Sequence, residues 1–82
     1  MDKPWSKPVT LALEGPDQYV TITTPQGASW AMIEDWPLDE GVALDRALEI
    51  CAEVAAGRKS AEDARRAFLF AAAEAGIHVQ DS

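Results

Sequence analysis

One serine lies in a setting that resembles a nucleophile motif. Ser29 is the central residue of 27–31, Gly-Ala-Ser-Trp-Ala, which resembles the Gly-x-Ser-x-Gly elbow of α/β-hydrolases. The second glycine of that motif is Ala31 here, and Pro25 already favours a first helical turn, so we expect Ser29 inside a helix. A serine nucleophile also needs a base, and the one imidazole belongs to His78, near the C-terminus. These residues favour ordinary helix N-terminal chemistry over catalysis.

The single cysteine and the single histidine offer neither a catalytic pair nor a metal site. Cys51 falls on the apolar face of a predicted helix, where burial raises the pKa of a thiol and suppresses the thiolate. We interpret it as a small core residue. One cysteine excludes an internal disulfide, and one histidine beside it lacks the ligand spacing of a zinc site. We therefore expect no catalytic residue, no metal, no cofactor and no enzymatic activity.

Four residues at a predicted helix junction could bind an anion. Arg58 and Lys59 precede Ser60, which we expect to begin a helix, and Arg65 follows in its second turn. A helix N-terminus flanked by cations can hold a phosphate. The alternative explanation is that Arg58 and Lys59 complement the end of the preceding helix while Arg65 is solvated. Binding of an anion or small ligand here is the second functional hypothesis.

Large apolar side chains on outer helix faces are the most informative feature. At 100° per residue, Phe70 falls about 160° from Phe68, and Trp30 falls about 160° from Met32. Such side chains need cover from the sheet, from the chain termini or from another chain. Contact of Phe70 with a C-terminal strand, or of Trp30 with a hairpin, is the alternative to an interface. The candidate interface residues are Trp30, Arg66, Leu69, Phe70 and Ala73.

Alternating residues before position 24 predict a β-hairpin. Residues 7–14 and 19–23 each alternate with period two, and both contain β-branched residues. The turn composition of residues 15–17, Gly-Pro-Asp, joins them into an antiparallel pair. Ile77 and Val79 alternate with polar residues, which predicts a third short strand at the C-terminus.

Capping residues and prolines predict three helices. Thr24 and Pro25 suit the start of the first, which ends near Trp36 because the next residue is a proline. The second runs from about Asp39 to Ala56, and its broad apolar arc predicts a position between the sheet and another helix. The third begins after Ser60 with a capping box to Asp63 and ends at Gly76; its inner face is mostly alanine with Phe68 as the anchor.

The length, charge and hydropathy exclude several classes of protein. The 82 residues carry seven basic and fourteen acidic side chains, a net charge of −7, which disfavours nucleic acid as a partner. No run of about 18 apolar residues exists, and the first residues lack the apolar segment of a signal peptide. We expect a cytoplasmic protein with no membrane partner, folded as one domain over residues 1–82 with an ordered core at about 7–79.

Several short motifs occur in an order and spacing that a known family shares. They are Lys7-Pro8-Val9, Trp36-Pro37, Gly41, Ala47, Cys51, Gly57, the run Ser-Ala-Glu-Asp-Ala-Arg-Arg-Ala-Phe at 60–68, Ala71-Ala72 and Glu-Ala-Gly-Ile at 74–77. Over about residues 5–79 the chain resembles a small bacterial family known as domain of unknown function 982. The resemblance implies a compact cytoplasmic α+β domain, and it supplies no catalytic residue because the family has no known activity.

Together these observations predict an α+β fold in which an N-terminal antiparallel hairpin, with a third short C-terminal strand, packs on three helices. For function they favour a small acidic protein-interaction or accessory module with the capacity to self-associate, as a homodimer, through helix three and the helix-one face. The partner is a protein, either another chain or a second copy. The alternative is the anion-binding protein described above.

Overall fold

A computed structural model describes residue 5 and residues 7–13, 15 and 17–80. Glu14 of the predicted first strand and Pro16 of the predicted turn lie outside the described residues. The elements in chain order are β1 (Val9–Ala12), β2 (Tyr19–Ile22), α1 (Pro25–Glu34), α2 (Val42–Ala55), α3 (Ala61–Glu74) and β3 (Val79–Gln80). The predicted α+β fold is confirmed.

The three strands form one antiparallel sheet in the order β2-β1-β3. Leu11 of the central strand is paired with Val20 on one side and with Val79 on the other, so the predicted hairpin and the third C-terminal strand are both confirmed. Val9 and Leu11 are buried on the core face, as their period-two spacing requires. The sheet is therefore small, and its central strand supplies most of its buried side chains.

Helix α1 begins as its sequence predicts and ends earlier. The Thr24 hydroxyl accepts a hydrogen bond of 3.0 Å from the Gly27 N–H, and Pro25 opens the helix. The helix ends at Glu34 with Asp35 as its C-cap, slightly before the predicted end near Trp36, and the proline at position 37 disfavours any continuation through Trp36. Trp36 nevertheless lies half-buried against the core.

Helix α2 begins at Val42, so the predicted start at Asp39 is wrong. The reason is a long-range cap: the Glu74 carboxylate of α3 accepts hydrogen bonds from the backbone N–H groups of Ala43 (3.0 Å) and Leu44 (3.1 Å). Those two donors are among the groups that a helix start leaves unpaired. Gly41 occupies the cap position and provides no side-chain bond of its own.

Helix α3 has the predicted capping box. The Ser60 hydroxyl accepts from the Asp63 N–H at 3.3 Å, and Asp63 Oδ2 accepts from the Ser60 N–H at 3.2 Å. Helix α2 ends before Gly57 and helix α3 ends before Gly76. These two glycines have φ angles of 81° and 72°, which glycine readily adopts. Both helix ends therefore follow the local sequence.

The core is built around Phe68, which is fully buried. Its ring lies between those of Trp5 and Trp36, with centroids 5.8 and 5.5 Å away. Trp5 reaches this position because its backbone N–H donates to the Thr23 carbonyl at 2.7 Å. The buried alanines Ala64, Ala67, Ala71 and Ala72 leave α3 room to approach α2 closely.

The surroundings of α2 differ from the predicted ones. Its principal neighbours are α3 on one side and α1 on the other, both helices, where one helix and the sheet were expected. Its broad apolar arc explains this, since Leu44 and Ala47 are buried while Leu48 and Val54 lie partly buried beside them. Within the described part of the chain, no helix has both the length and the apolar character that a membrane span requires.

Candidate functional site

Two surface grooves lie on either side of α2, and they have nearly the same size. The α1–α2 groove has a volume of about 550 Å³ and is lined by Pro25, Gln26, Ser29, Trp30, Ile33, Leu48, Cys51, Ala52, Val54 and Ala55. The α2–α3 groove has a volume of about 560 Å³ and is lined by Val42, Ala43, Arg46, Ile50, Lys59, Asp63, Arg66, Ala67, Phe70 and Glu74.

The α1–α2 groove is apolar and uncharged. Trp30 and Ile33 rise from α1 with 57% and 66% of their surfaces exposed. Small residues lie beside them, including Ser29 and Ala52, and no charged side chain is present among the described residues that line the groove. A large exposed apolar surface of this kind is typical of a site that another molecule covers.

The floor of the α1–α2 groove contains the single cysteine. Cys51 is buried, and burial raises the pKa of its thiol above the ordinary 9.0, although a hydrogen bond with the Ser29 side chain opposes this in part. The thiol is therefore protonated at neutral pH and acts as part of the apolar lining, as the sequence predicts.

The α2–α3 groove combines an apolar centre with charged edges. Phe70 and Val42 are 71% and 84% exposed. Three cationic side chains, those of Arg46, Lys59 and Arg66, line the groove around them. Exposed aromatic and guanidinium groups together are typical of the residues that dominate protein interfaces.

The two carboxylates that line the α2–α3 groove are both engaged at helix starts. Glu74 accepts from two backbone N–H groups of α2, and Asp63 accepts from the backbone N–H and the hydroxyl of Ser60. The hydrogen bonds from Ser60 lower the pKa of Asp63, with a smaller contribution from the positive charges of Lys59 and Arg66. The negative charges of the groove are thus held close to helix N-termini, where backbone dipoles stabilise them.

The structure separates the predicted interface residues into different regions. Trp30 belongs to the α1–α2 groove, whereas Arg66 and Phe70 belong to the α2–α3 groove. Ala73 is exposed on α3, whereas Leu69 is half-buried and packs partly against the core, and its place in an interface stays a prediction. Leu69 is half-buried because it follows the inward Phe68 by only one residue, about 100° around the helix.

Sequence reasoning missed two large members of these surfaces. Ile33 extends the exposed face of Trp30, three residues along α1, and Val42 extends that of Phe70 from the neighbouring helix. The i, i+3 spacing of Trp30 and Ile33 is a signal that could have identified Ile33. Val42 gave no such signal, since its position depends on where α2 begins.

Two of the predicted anion-binding residues, Arg58 and Arg65, interact with different parts of the molecule. Arg58 forms an ion pair with Glu53 at 3.5 Å, within its own helix-end region. Arg65 instead donates from Nε to the backbone carbonyl of Lys7 at 2.8 Å, so it fastens α3 to the segment before β1.

The other two predicted anion-binding residues lie at the start of α3. The Ser60 hydroxyl and backbone N–H are both hydrogen-bonded to Asp63, whose carboxylate occupies the place that an external anion would take. Lys59 lines the α2–α3 groove. The four residues are therefore not gathered around one point, and anion binding stays a prediction.

Ser29 and His78 have separate surroundings in the structure. Ser29 lies in the second turn of α1, inside a helix as its sequence predicts. Its side chain is hydrogen-bonded to that of Cys51. The His78 ring packs edge-on against Tyr19, with centroids 6.2 Å apart. No group of three or more His, Cys, Asp or Glu residues with the geometry to hold a metal ion occurs in this part of the chain.

A comparison with known protein families finds a match over most of the chain. A family model described as "Protein of unknown function (DUF982)" matches residues 7–79. The chain belongs to this family. No curated protein and no solved structure matches it. The family description assigns no activity to this DUF982 member.

Proposed function

We propose that this DUF982 member is a protein-interaction module that self-associates through the α1–α2 groove. The observation that carries the proposal is the exposure of Trp30 and Ile33 in a groove whose described lining has no charge. Burying large apolar side chains on association gains about 25 cal/mol for each Å² removed from water. A partner that covers both residues therefore provides a substantial driving force.

The charge of the chain favours this groove over other surfaces as the contact between two copies. A chain of net charge −7 repels its copy, and the repulsion is least where the touching surfaces carry no ionised groups. The α1–α2 groove meets this condition. Its surface also contains both protruding and small side chains, which is what self-complementary packing needs.

A two-fold dimer places the same patch of both copies in contact. In the α1–α2 groove, Trp30 of one copy can then lie over the small residues Ser29 and Ala52 of the other. In the α2–α3 groove the same symmetry would bring together two linings that each carry three cations and two carboxylates. The uncharged groove is accordingly the better site for self-association.

Sedimentation equilibrium over a concentration series tests the proposal. For the full chain we expect a monomer–dimer equilibrium that is mostly dimer at about 100 μM, as a Kd of about 10 μM requires. The double variant Trp30→Ser/Ile33→Ser should be monomeric over the same range. Phe70→Ser is the matched control, because it removes an exposed aromatic ring from the other groove and should leave the dimer intact.

A wild-type chain that is monomeric at every concentration would overturn self-association. A dimer that Phe70→Ser abolishes and Trp30→Ser/Ile33→Ser preserves would place the contact in the other groove and contradict the argument from charge. Thermal melting of each variant by circular dichroism checks that the fold is intact, which the exposure of these side chains leads us to expect.

The anion-binding alternative has less support from the positions of its residues. Arg58 and Arg65 are directed to Glu53 and to the Lys7 carbonyl, and Asp63 caps the helix start at which an anion would bind. No observation in the described residues favours that function over protein interaction.

A further inference from the structure

The geometry points to a second docking site: we infer that the α2–α3 groove binds an acidic amphipathic α-helix of a different protein. The juxtaposition that carries the inference is an apolar strip of the exposed Val42 and Phe70 and the half-buried Ile50, beside the cations Arg46 and Arg66. This inference does not depend on self-association through the α1–α2 groove, because it uses other residues on the opposite side of α2.

The shape of the groove suits a helix. Helices α2 and α3 are both 14 residues long and run antiparallel, since Glu74 near the end of α3 bonds to the start of α2. At 1.5 Å per residue the groove between them is about 20 Å long. Its lining residues run along α3 from Asp63 to Glu74 and along α2 from Val42 to Ile50, and Lys59 of the segment that joins the two helices completes the lining. A groove between two packed helices is a common receptor for the apolar face of a third.

The charges of the groove select the partner. Of the seven basic residues in the chain, three line this groove, although the chain as a whole is strongly acidic. The two carboxylates that also line it, Glu74 and Asp63, already accept hydrogen bonds from helix N-termini. With three cations against these two carboxylates, the lining carries a net positive charge on an acidic chain, and carboxylates are the natural partners of its positive side chains.

The same charges disfavour a second copy as the occupant. An isologous contact through this groove would bring two linings of the same net positive charge together, each with Arg46, Lys59 and Arg66 against two carboxylates. A nucleic acid would meet three cations but also a net charge of −7 on the chain, and its affinity grows with the number of phosphates neutralised. A helix with apolar residues at i, i+4 and i+7 and glutamates beside them fits both the apolar strip and its charged edges.

Fluorescence anisotropy with designed peptides tests the inference. The probe is a labelled helical peptide of about 18 residues, or five turns, with leucines at i, i+4, i+7 and i+11 and glutamates beside them. The matched control peptide has the same leucines and lysines in place of the glutamates. Titrations are carried out at physiological ionic strength, at which charges more than about 8 Å apart are largely screened.

The expected result is a preference that depends on Phe70 and on the two arginines. The glutamate peptide should bind the wild-type chain, and Phe70→Ser should weaken it by about tenfold or more, as the loss of a central aromatic anchor does. The double variant Arg46→Glu/Arg66→Glu should reverse the preference in favour of the lysine peptide. Trp30→Ser, in the other groove, is the matched control and should leave the affinity unchanged.

Three results would overturn the inference. One is the absence of binding of the glutamate peptide to the wild-type chain at millimolar concentration. Another is binding that Trp30→Ser weakens as much as Phe70→Ser, since the site would then not be this groove. The third is a stronger Phe70-dependent affinity for the lysine peptide, or for a single-stranded oligonucleotide, which would assign the groove to another class of ligand. Self-association is measured separately and without peptide, so its failure does not affect these outcomes.

Discussion

The α1–α2 groove and the α2–α3 groove use opposite sides of the same helix, and they differ in charge more than in size. Each places one large exposed aromatic ring, Trp30 or Phe70, on its surface. The first has no charged residue in its described lining, whereas the second has three cations and two carboxylates. Apolar area of the same kind therefore suits an identical partner on one side of α2 and a partner of complementary charge on the other.

Trp30 and Phe70 can contact a partner only if their rings belong to the surface of the molecule and not to its core. Phe68 and Phe70 differ by two positions on one helix, yet Phe68 is fully buried between two tryptophan rings. We expect Phe68→Ala to lower the free energy of unfolding by about 3–5 kcal/mol. Phe70→Ala should change it by no more than about 0.5 kcal/mol. Urea denaturation of both variants measures the difference, and a large loss in Phe70→Ala would show that this ring is structural.

The end of the α2–α3 groove depends on the contact between Gly41 and Glu74. A Cβ atom at position 41 would overlap the Glu74 carboxylate, so Gly41→Ala should displace the cap of α2. Each of Gly41→Ala and Glu74→Ala should cost about 1 kcal/mol, within the range known for helix caps. Because both remove the same two hydrogen bonds, the double variant should cost little more than either single one. Additive losses in chemical denaturation would contradict this coupling.

The floor of the α1–α2 groove can be followed through Cys51. Burial raises the pKa of its thiol, so the thiol stays protonated in the folded chain at a pH at which an unfolded thiol ionises. The stability contribution of the Cys51 thiol is complete below the pKa of the unfolded thiol, near 9.0, and is lost as the pH rises through the higher pKa of the folded one.

We expect a disulfide reagent to label the Cys51 thiol slowly at pH 8. Labelling should become slower still as the protein concentration rises and a dimer covers the groove.

Two controls accompany the Cys51 measurement. The difference in unfolding free energy between wild type and Cys51→Ala should shrink as the pH rises above 9, since the variant lacks the thiol. Trp30→Ser/Ile33→Ser should remove the concentration dependence of labelling while leaving the effect of pH. Fast labelling at neutral pH would mean that Cys51 is not part of an apolar floor.

The smallest expected effect concerns the ion pair outside both grooves. Arg58 and Glu53 are 3.5 Å apart and the arginine side chain is largely exposed, so Arg58→Ala should cost at most about 0.5 kcal/mol. The same variant distinguishes the two functional hypotheses, protein interaction through the grooves and anion binding at the predicted anion site. A rise in melting temperature with inorganic phosphate that Arg58→Ala abolishes would support anion binding and weaken the assignment of function to the grooves.

Local signals account for the parts of the fold that the sequence predicts well. Thr24 with Pro25 and Ser60 with Asp63 are separated by three residues or fewer, and both helix starts are correct. The predicted start of α2 is wrong because its cap, Glu74, lies about thirty residues away in the chain, where no local sequence pattern reveals it. Trp5 was not anticipated as a core residue for the same reason, since only the packing of distant elements brings it to Phe68.

The candidate site was predictable in part. A helical wheel identifies Trp30 and Phe70 as outward-facing, and both are exposed. It cannot show that they occupy different grooves, because that follows from the way α1 and α3 each pack against α2. Nor can it show that Arg46 belongs with Phe70, since the two residues are on separate helices and meet only through tertiary packing.

The capping of α2 by a residue of α3 also has a consequence for how the family can vary. Gly41 and Glu74 belong to separate motifs of the chain, yet the absent side chain of one makes room for the carboxylate of the other. A relative that acquires a side chain at position 41 should no longer benefit from an acid at position 74. We therefore expect positions 41 and 74 to covary across related sequences.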